Sequence, residues 1–127
     1  MTEAQESIVR LDETDHEFSE AVAKADGEKI NICFQCGTCT ATCPIRRFDK
    51  TYNPRLILRE TLLGLREIVL SSNVIWLCAS CYSCTERCPR GVRPAEVIRA
   101  VRNLAVREGH VHPFYRMQGS AIATLGR

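Results

Sequence analysis

Apolar residues along this chain return mostly at helical spacing. Phe18, Ala21, Val22 and Ala25 lie three or four apart. They follow Thr14 and Glu17, which have the spacing of a capping box, and Gly27 is the expected stop. Asn53 before Pro54 reads as an N-cap and first helical position. Leu56, Ile57, Leu58, Leu62 and Leu63 then form the expected apolar side, and Gly64 ends or bends the helix. Ser72 or Asn73 is placed to cap a short turn carrying Val74, Ile75, Trp76 and Leu77 into Cys78. The firmest stripe follows Pro94: Val97, Ile98, Val101, Leu104 and Ala105, with Gly109 at the cap position. His112-Pro113 starts a last helix. Strand signals are weak, because 30–34 is short and 67–75 is broken by Ser71, Ser72 and Asn73. The pattern predicts an all-α fold.

Eight of the 127 residues are cysteine, and one repeat uses them all. Cys33, Cys36, Cys39, Cys43 and Pro44 recur 45 residues later as Cys78, Cys81, Cys84, Cys88 and Pro89. The spacing is C-x2-C-x2-C-x3-C-P, twice, which implies two sites related by an approximate two-fold axis. Zinc ribbons place cysteines in pairs with longer gaps, and disulfides belong to oxidising compartments. Three cysteines at x2 spacing line a tight loop over three corners of a 4Fe–4S cube. In two-cluster ferredoxins the fourth, before proline, ligates the other cube. The expected sets are therefore Cys33, Cys36, Cys39 and Cys88 for one cluster, and Cys78, Cys81, Cys84 and Cys43 for the other. Both clusters are expected in loops between helices. With every iron held by cysteine, no catalytic residue is expected.

Charge refines this picture. Residues 1–29 carry nine acids against three bases, whereas 30–127 carry six acids against fourteen bases, thirteen of them Arg. A basic domain invites comparison with nucleic-acid binders, but no stacking motif or helix-turn-helix pattern is present. Anionic clusters or an acidic partner better account for the arginines. The first twenty residues hold seven acids and no apolar run of signal-peptide type. The longest uncharged stretch, 68–85, includes two serines and an asparagine in succession, too polar to span a bilayer. A cytoplasmic protein without membrane insertion is expected.

Three segments resemble the C subunit of heterodisulfide reductase. They are Cys33-Phe34-Gln35-Cys36-Gly37-Thr38-Cys39, Trp76-Leu77-Cys78, and Cys81-Tyr82-Ser83-Cys84-Thr85-Glu86-Arg87-Cys88-Pro89-Arg90-Gly91-Val92. The resemblance covers about residues 14–120. It implies an α-helical ferredoxin domain with two 4Fe–4S clusters, used in methanogenesis or related sulfur chemistry. It also implies two partners: the flavin-bearing A subunit, and the B subunit that reduces the mixed disulfide of coenzymes M and B. The expected organisation is an acidic arm with one helix over 1–29, a two-cluster domain over 30–112, and a docking segment over 113–127. A freely diffusing two-cluster ferredoxin, or the iron–sulfur subunit of another respiratory or sulfur-metabolising oxidoreductase, is the alternative.

Other residues have plainer expectations. Trp76 and Tyr82 should shield clusters, and Gly37 and Gly91 should give the loops backbone freedom. The hydroxyls of Thr38, Thr40, Ser80 and Ser83 are candidates to donate to sulfur or to local turns. Arg99, Arg102 and Glu96 should lie away from the apolar face of their helix, the two arginines serving as docking charges. Arg46, Arg47, Arg90 and Arg93 are further docking candidates. His16, His110 and His112 are not expected to bind metal.

Overall fold

The computed structural model describes residues 9–126. These form α1 (Phe18–Lys24), α2 (Thr38–Thr42), α3 (Pro44–Phe48), α4 (Pro54–Leu62), α5 (Arg66–Ser71), α6 (Ser83–Arg87), α7 (Pro94–Arg107) and α8 (Pro113–Leu125). Short 3-10 turns lie at Leu11–Glu13, Ile30–Ile32 and Asn73–Leu77. No strand occurs among the described residues, so the all-α expectation holds. None of their helices is long and apolar enough to cross a membrane.

Helix α7 is the centre of the core. Its Val97, Ile98, Val101, Leu104 and Ala105 are buried, as the stripe predicts. Around it pack α1, α4, α5, α6 and the Asn73–Leu77 turn. Phe18, Val22, Ile57, Leu58, Val69, Leu70 and Ile75 close the same core. Fully burying each large apolar side chain contributes about 1.5–3 kcal/mol. The helix ends in a Schellman turn, with Gly109 left-handed and the His110 N–H donating to the Ala105 carbonyl at 2.8 Å.

Several ends form as the sequence predicts. Asn53 accepts the Leu56 N–H at 3.2 Å, and Ser72 accepts that of Val74 at 3.3 Å. His112 caps α8 by accepting the Phe114 N–H on Nδ1. The capping box at Thr14 does not form. Thr14 instead donates to the Leu11 carbonyl, and Asp15 accepts the Glu17 N–H at 2.9 Å. The reason is tertiary: the Asp15 N–H bonds the Gly64 carbonyl at 2.8 Å, fixing the entry to α1 against the end of α4. Gly64 has φ +75°, and a Cβ there would sit 2.4 Å from the Asp15 carbonyl oxygen.

The apolar side of α4 also differs from expectation. Leu56 and Leu63 are exposed, while Thr61 is fully buried. Thr61 is satisfied inside by donating its hydroxyl to the Ile57 carbonyl at 2.8 Å. Helix α8 has no buried residue. Tyr115 joins it to Trp76, with ring centroids 5.2 Å apart.

Candidate iron–sulfur sites

Each cysteine motif folds the same way. A 3-10 turn delivers the first cysteine, Cys33 or Cys78, in extended conformation. Left-handed residues then alternate with ordinary ones: Gln35 and Gly37 in the first loop, Ser80 and Tyr82 in the second. That alternation curls the backbone. A one-turn helix, α2 or α6, follows with the third cysteine buried in it. The fourth, Cys43 or Cys88, is extended again and leaves its own loop.

The curl makes two cavities. Cys33, Cys36, Cys39 and Cys88 line one. Cys43, Cys78, Cys81 and Cys84 line the other. None of the eight cysteines is in a disulfide. Helices α2 and α6 pack on one another, and Cys39, Cys84 and Ala95 form a small buried cluster between the cavities. Cys36 and Cys81 are exposed.

Donors converge on the sulfurs. The Gln35 Nε2 donates to Cys33, the Ser80 N–H to Cys78 and the Val92 N–H to Cys88, each at 3.4 Å. Thr38 Oγ1 lies 3.3 Å from Cys36 Sγ, and Ser83 Oγ 3.6 Å from Cys81 Sγ. The Thr38 hydroxyl holds the Cys36 thiol below its ordinary pKa, and the Ser83 N–H does the same for Cys81. Burial pushes Cys39 up. Burial, followed by the neighbouring Cys78, Cys39 and Cys81, pushes Cys84 up to about 11. Such crowded thiols deprotonate together only beside a compensating cation, which bound iron provides. The donor set and the N–H groups aimed at sulfur fit a 4Fe–4S cube in each cavity.

Supporting residues differ from expectation at three arginine and glutamate positions. Arg102 is not a free docking charge. It donates to the Ile75 and Cys78 carbonyls, both at 2.7 Å, and lies over the Trp76 ring. It thus clamps the loop that presents Cys78. Arg99 pairs with Asp26, and its Nη1 donates to the Tyr82 hydroxyl. Glu96 is only 4% exposed, because it accepts from the Thr85 hydroxyl and from Arg93, each at 2.8 Å. The Thr85 bond fastens α6 to α7, and the Arg93 bond lies within the start of α7. Thr40 donates its hydroxyl to Asn53 at 2.7 Å and accepts the Arg55 N–H, so it serves the start of α4. At Ser80 the backbone N–H, rather than the hydroxyl, reaches sulfur.

Two lining residues stand outside the sequence expectations. Arg55 borders the first cavity and favours the Cys36 thiolate. Tyr52, 1% exposed, borders the second. Burial first, then Cys78, pushes its phenol far up, so it remains an O–H group. Tyr82 borders the second cavity as expected of a shield. Trp76 instead packs between the core, Arg102 and Tyr115.

Fold and donor set together define a two-cluster iron–sulfur protein. Residues 13–92 match the family described as 4Fe-4S dicluster domain. The chain carries two 4Fe–4S clusters and has an electron-transfer role. It is 39% identical over 126 residues to the C subunit of the H(2):CoB-CoM heterodisulfide,ferredoxin reductase of Methanothermobacter thermautotrophicus, covering 99% of this chain and 68% of that protein. It is 35% identical over 134 residues to the iron-sulfur C subunit of the CoB--CoM heterodisulfide reductase of Methanopyrus kandleri, covering 99% and 69%. Against the C subunit of the Ferredoxin:CoB-CoM heterodisulfide reductase of Methanosarcina mazei, identity is 40% over 105 residues, covering 83% and 64%. The chain belongs to the family of heterodisulfide reductase C subunits.

Proposed function

We propose that this chain carries single electrons through a heterodisulfide reductase-like complex, from its flavin-bearing subunit to its disulfide-reducing subunit. One observation carries the reading. The two cysteine-lined cavities adjoin at buried Cys39 and Cys84, and each reaches the surface at an exposed cysteine, Cys36 or Cys81. That is a path with an inner junction and two outer ends. In the proposed ligation Cys33, Cys36, Cys39 and Cys88 hold the first cluster, and Cys78, Cys81, Cys84 and Cys43 hold the second. Bound there, each cluster supplies one-electron exchange, with no bond made to substrate. The chain's own residues fix the sulfurs, donate to them and exclude water from the inner edge.

The division of labour along the chain follows the same reading. Residues 30–112 hold the clusters, the acidic segment 1–29 is an arm anchored by α1, whose Phe18 and Val22 enter the core, and 113–127 docks on a partner protein of the complex. The exposed Phe114, Met117, Ile122 and Leu125 of α8 support the docking role. The proposed location is the cytoplasm, where thiols stay reduced and available to iron.

A reconstitution tests the proposal. The reduced flavoprotein should pass electrons to the disulfide-reducing partner only when this chain is present, and the isolated chain should not reduce the heterodisulfide. Equal transfer without it would overturn the role. Disulfide reduction by the chain alone would reveal an active site within it.

A further inference from the structure

The 45-residue repeat puts Gln35 where the second motif has Ser80. Both are left-handed, with φ 62° and 53°, and each gives a donor to the first cysteine of its own loop. The donors differ in kind. In the second loop the Ser80 backbone N–H reaches Cys78 Sγ at 3.4 Å. In the first loop a side chain does so, with Gln35 Nε2 donating to Cys33 Sγ at 3.4 Å. The other end of that amide shows what the group is placed for. Its Oε1 is buried and has no hydrogen-bond partner among the described residues. A buried carbonyl oxygen left unpaired is unfavourable, so the opposite end of the group must account for its place. Turned over, the amide would set that oxygen against the sulfur, and beside a thiolate two acceptors would face each other. Only the donor-first orientation suits a cluster ligand, and Gln35 lines the cavity of the first three cysteines.

We propose that Gln35 is a positioning residue whose amide N–H holds the Cys33 thiolate and raises the reduction potential of the first cluster. The proposal rests on Cys33, Cys36 and Cys39 holding one cluster, and it is indifferent to which motif supplies the fourth ligand. Its sign follows from charge. One-electron reduction makes the cluster and its sulfurs more negative, and a fixed N–H donor stabilises the reduced state more than the oxidised one. Burial of the amide oxygen strengthens the effect, since water does not reach that end of the group to compete. A carboxamide does not titrate, so the donor is present in both oxidation states and no proton moves with the electron.

The test is a redox titration of the iron-loaded full chain, monitored by electron paramagnetic resonance. Cys36→Ser and Cys81→Ser mark the signals of the first and second clusters. Gln35→Met keeps the length of the side chain and removes the donor. It should lower the reduced-to-oxidised ratio of the first cluster at fixed potential about tenfold, or about 59 mV for a one-electron couple. The second cluster should hold its midpoint. An unmoved first midpoint would overturn the proposal. So would a raised one, the direction expected when water enters a loosened loop and stabilises the added negative charge. Equal shifts of both clusters would overturn it as well. If the Met variant loses iron, the native amide decides. In a chain carrying Gln5→Asn and Gln118→Asn, ¹⁵N-labelled glutamine side chains place the label at Gln35 alone. Pulsed resonance should then show ¹⁵N coupling on the signal marked by Cys36→Ser, and its absence there overturns the proposal. Failure of the ligand assignment reads separately, as Cys36→Ser leaving both signals unchanged, and it would remove the proposal with it.

Discussion

The two halves of the molecule share a ligand frame and differ in what connects it to the core. In the first half, Pro54 lies ten positions after Pro44, and the interval holds α3 and Tyr52. In the second, Pro94 lies five positions after Pro89, and a turn at Gly91 leads straight into α7. The left-handed positions of the cysteine loops are the same in both. The helix that follows is not: nine residues in α4, fourteen in α7. Duplication therefore preserved the geometry needed to hold a cube, while the connecting segment was free to change the chemistry around it. One cluster site acquired Tyr52 and Arg102's clamp on Cys78. The other acquired Arg55 and the Gln35 amide.

The hardest blow to this comparison is at the fourth cysteine. Cys43→Ala should empty the second site and Cys88→Ala the first, so each variant should fall from about eight to about four iron per chain. Iron and sulfide assays with resonance spectra decide it. Loss of the cluster belonging to the mutated motif itself would show that the halves do not share ligands.

Thiol chemistry of the iron-free chain gives a second contrast, within each half rather than between them. Cys36 and Cys81 are exposed and held toward the thiolate, so alkylation near neutral pH should mark them first. Cys39 and Cys84 should be slowest, more than about tenfold behind. Labelling of Cys84 should rise as pH approaches about 11, because the attacking thiolate forms only there. Peptide mapping after timed alkylation measures this. Equal rates at all eight would remove the inner and outer distinction.

Arg102→Ala sharpens the difference between halves. Two hydrogen bonds from a charged donor to carbonyls are lost beside Cys78, and the expected cost is about 2–3 kcal/mol. Iron uptake by the second site should slow while the first loads normally. The smallest effect is expected from Gly37→Ala. Its φ is +84°, where a Cβ costs about 1–2 kcal/mol, although the nearest atom, on the flexible Arg55, is 3.6 Å away. Tyr82 already bears that strain at the equivalent place. A denaturant midpoint unchanged by Gly37→Ala would mean that the first loop relaxes where the second does not.

These contrasts separate what periodicity reveals from what it hides. The cysteine repeat, the Asn53-Pro54 start and the α7 stripe were readable because each is a local pattern with a fixed geometric meaning. Arg102 was not. It follows Val101 on the border of the apolar stripe, and spacing says only that it leaves the core face. Its long side chain covers Trp76 and reaches carbonyls of a segment 24 and 27 residues earlier. Glu96 misled for a related reason: Arg93 is its own neighbour three positions earlier, but Thr85, which helps to bury it, arrives only when α6 meets α7. Tyr52 sits in an irregular connection with no periodic neighbours, so pattern offered no signal for it. Thr14 and Glu17 had the correct local pattern and lost to the tie between Asp15 and Gly64.

The proposed exchange of fourth cysteines has a topological consequence. Cys39 and Cys88 are 49 positions apart, and Cys43 and Cys78 are 35 apart, yet each pair borders one cavity. A metal bridging either pair closes a long loop, which in the chain-entropy view of a cross-link removes on the order of 4 kcal/mol of unfolded-state freedom. The two loops overlap along the chain between Cys43 and Cys78. Once the first is closed, the ends of the second are joined by a shorter path through the bridge, and on the order of 1 kcal/mol of its closure entropy has already been lost. Filling one cavity thus makes the other somewhat easier to fill.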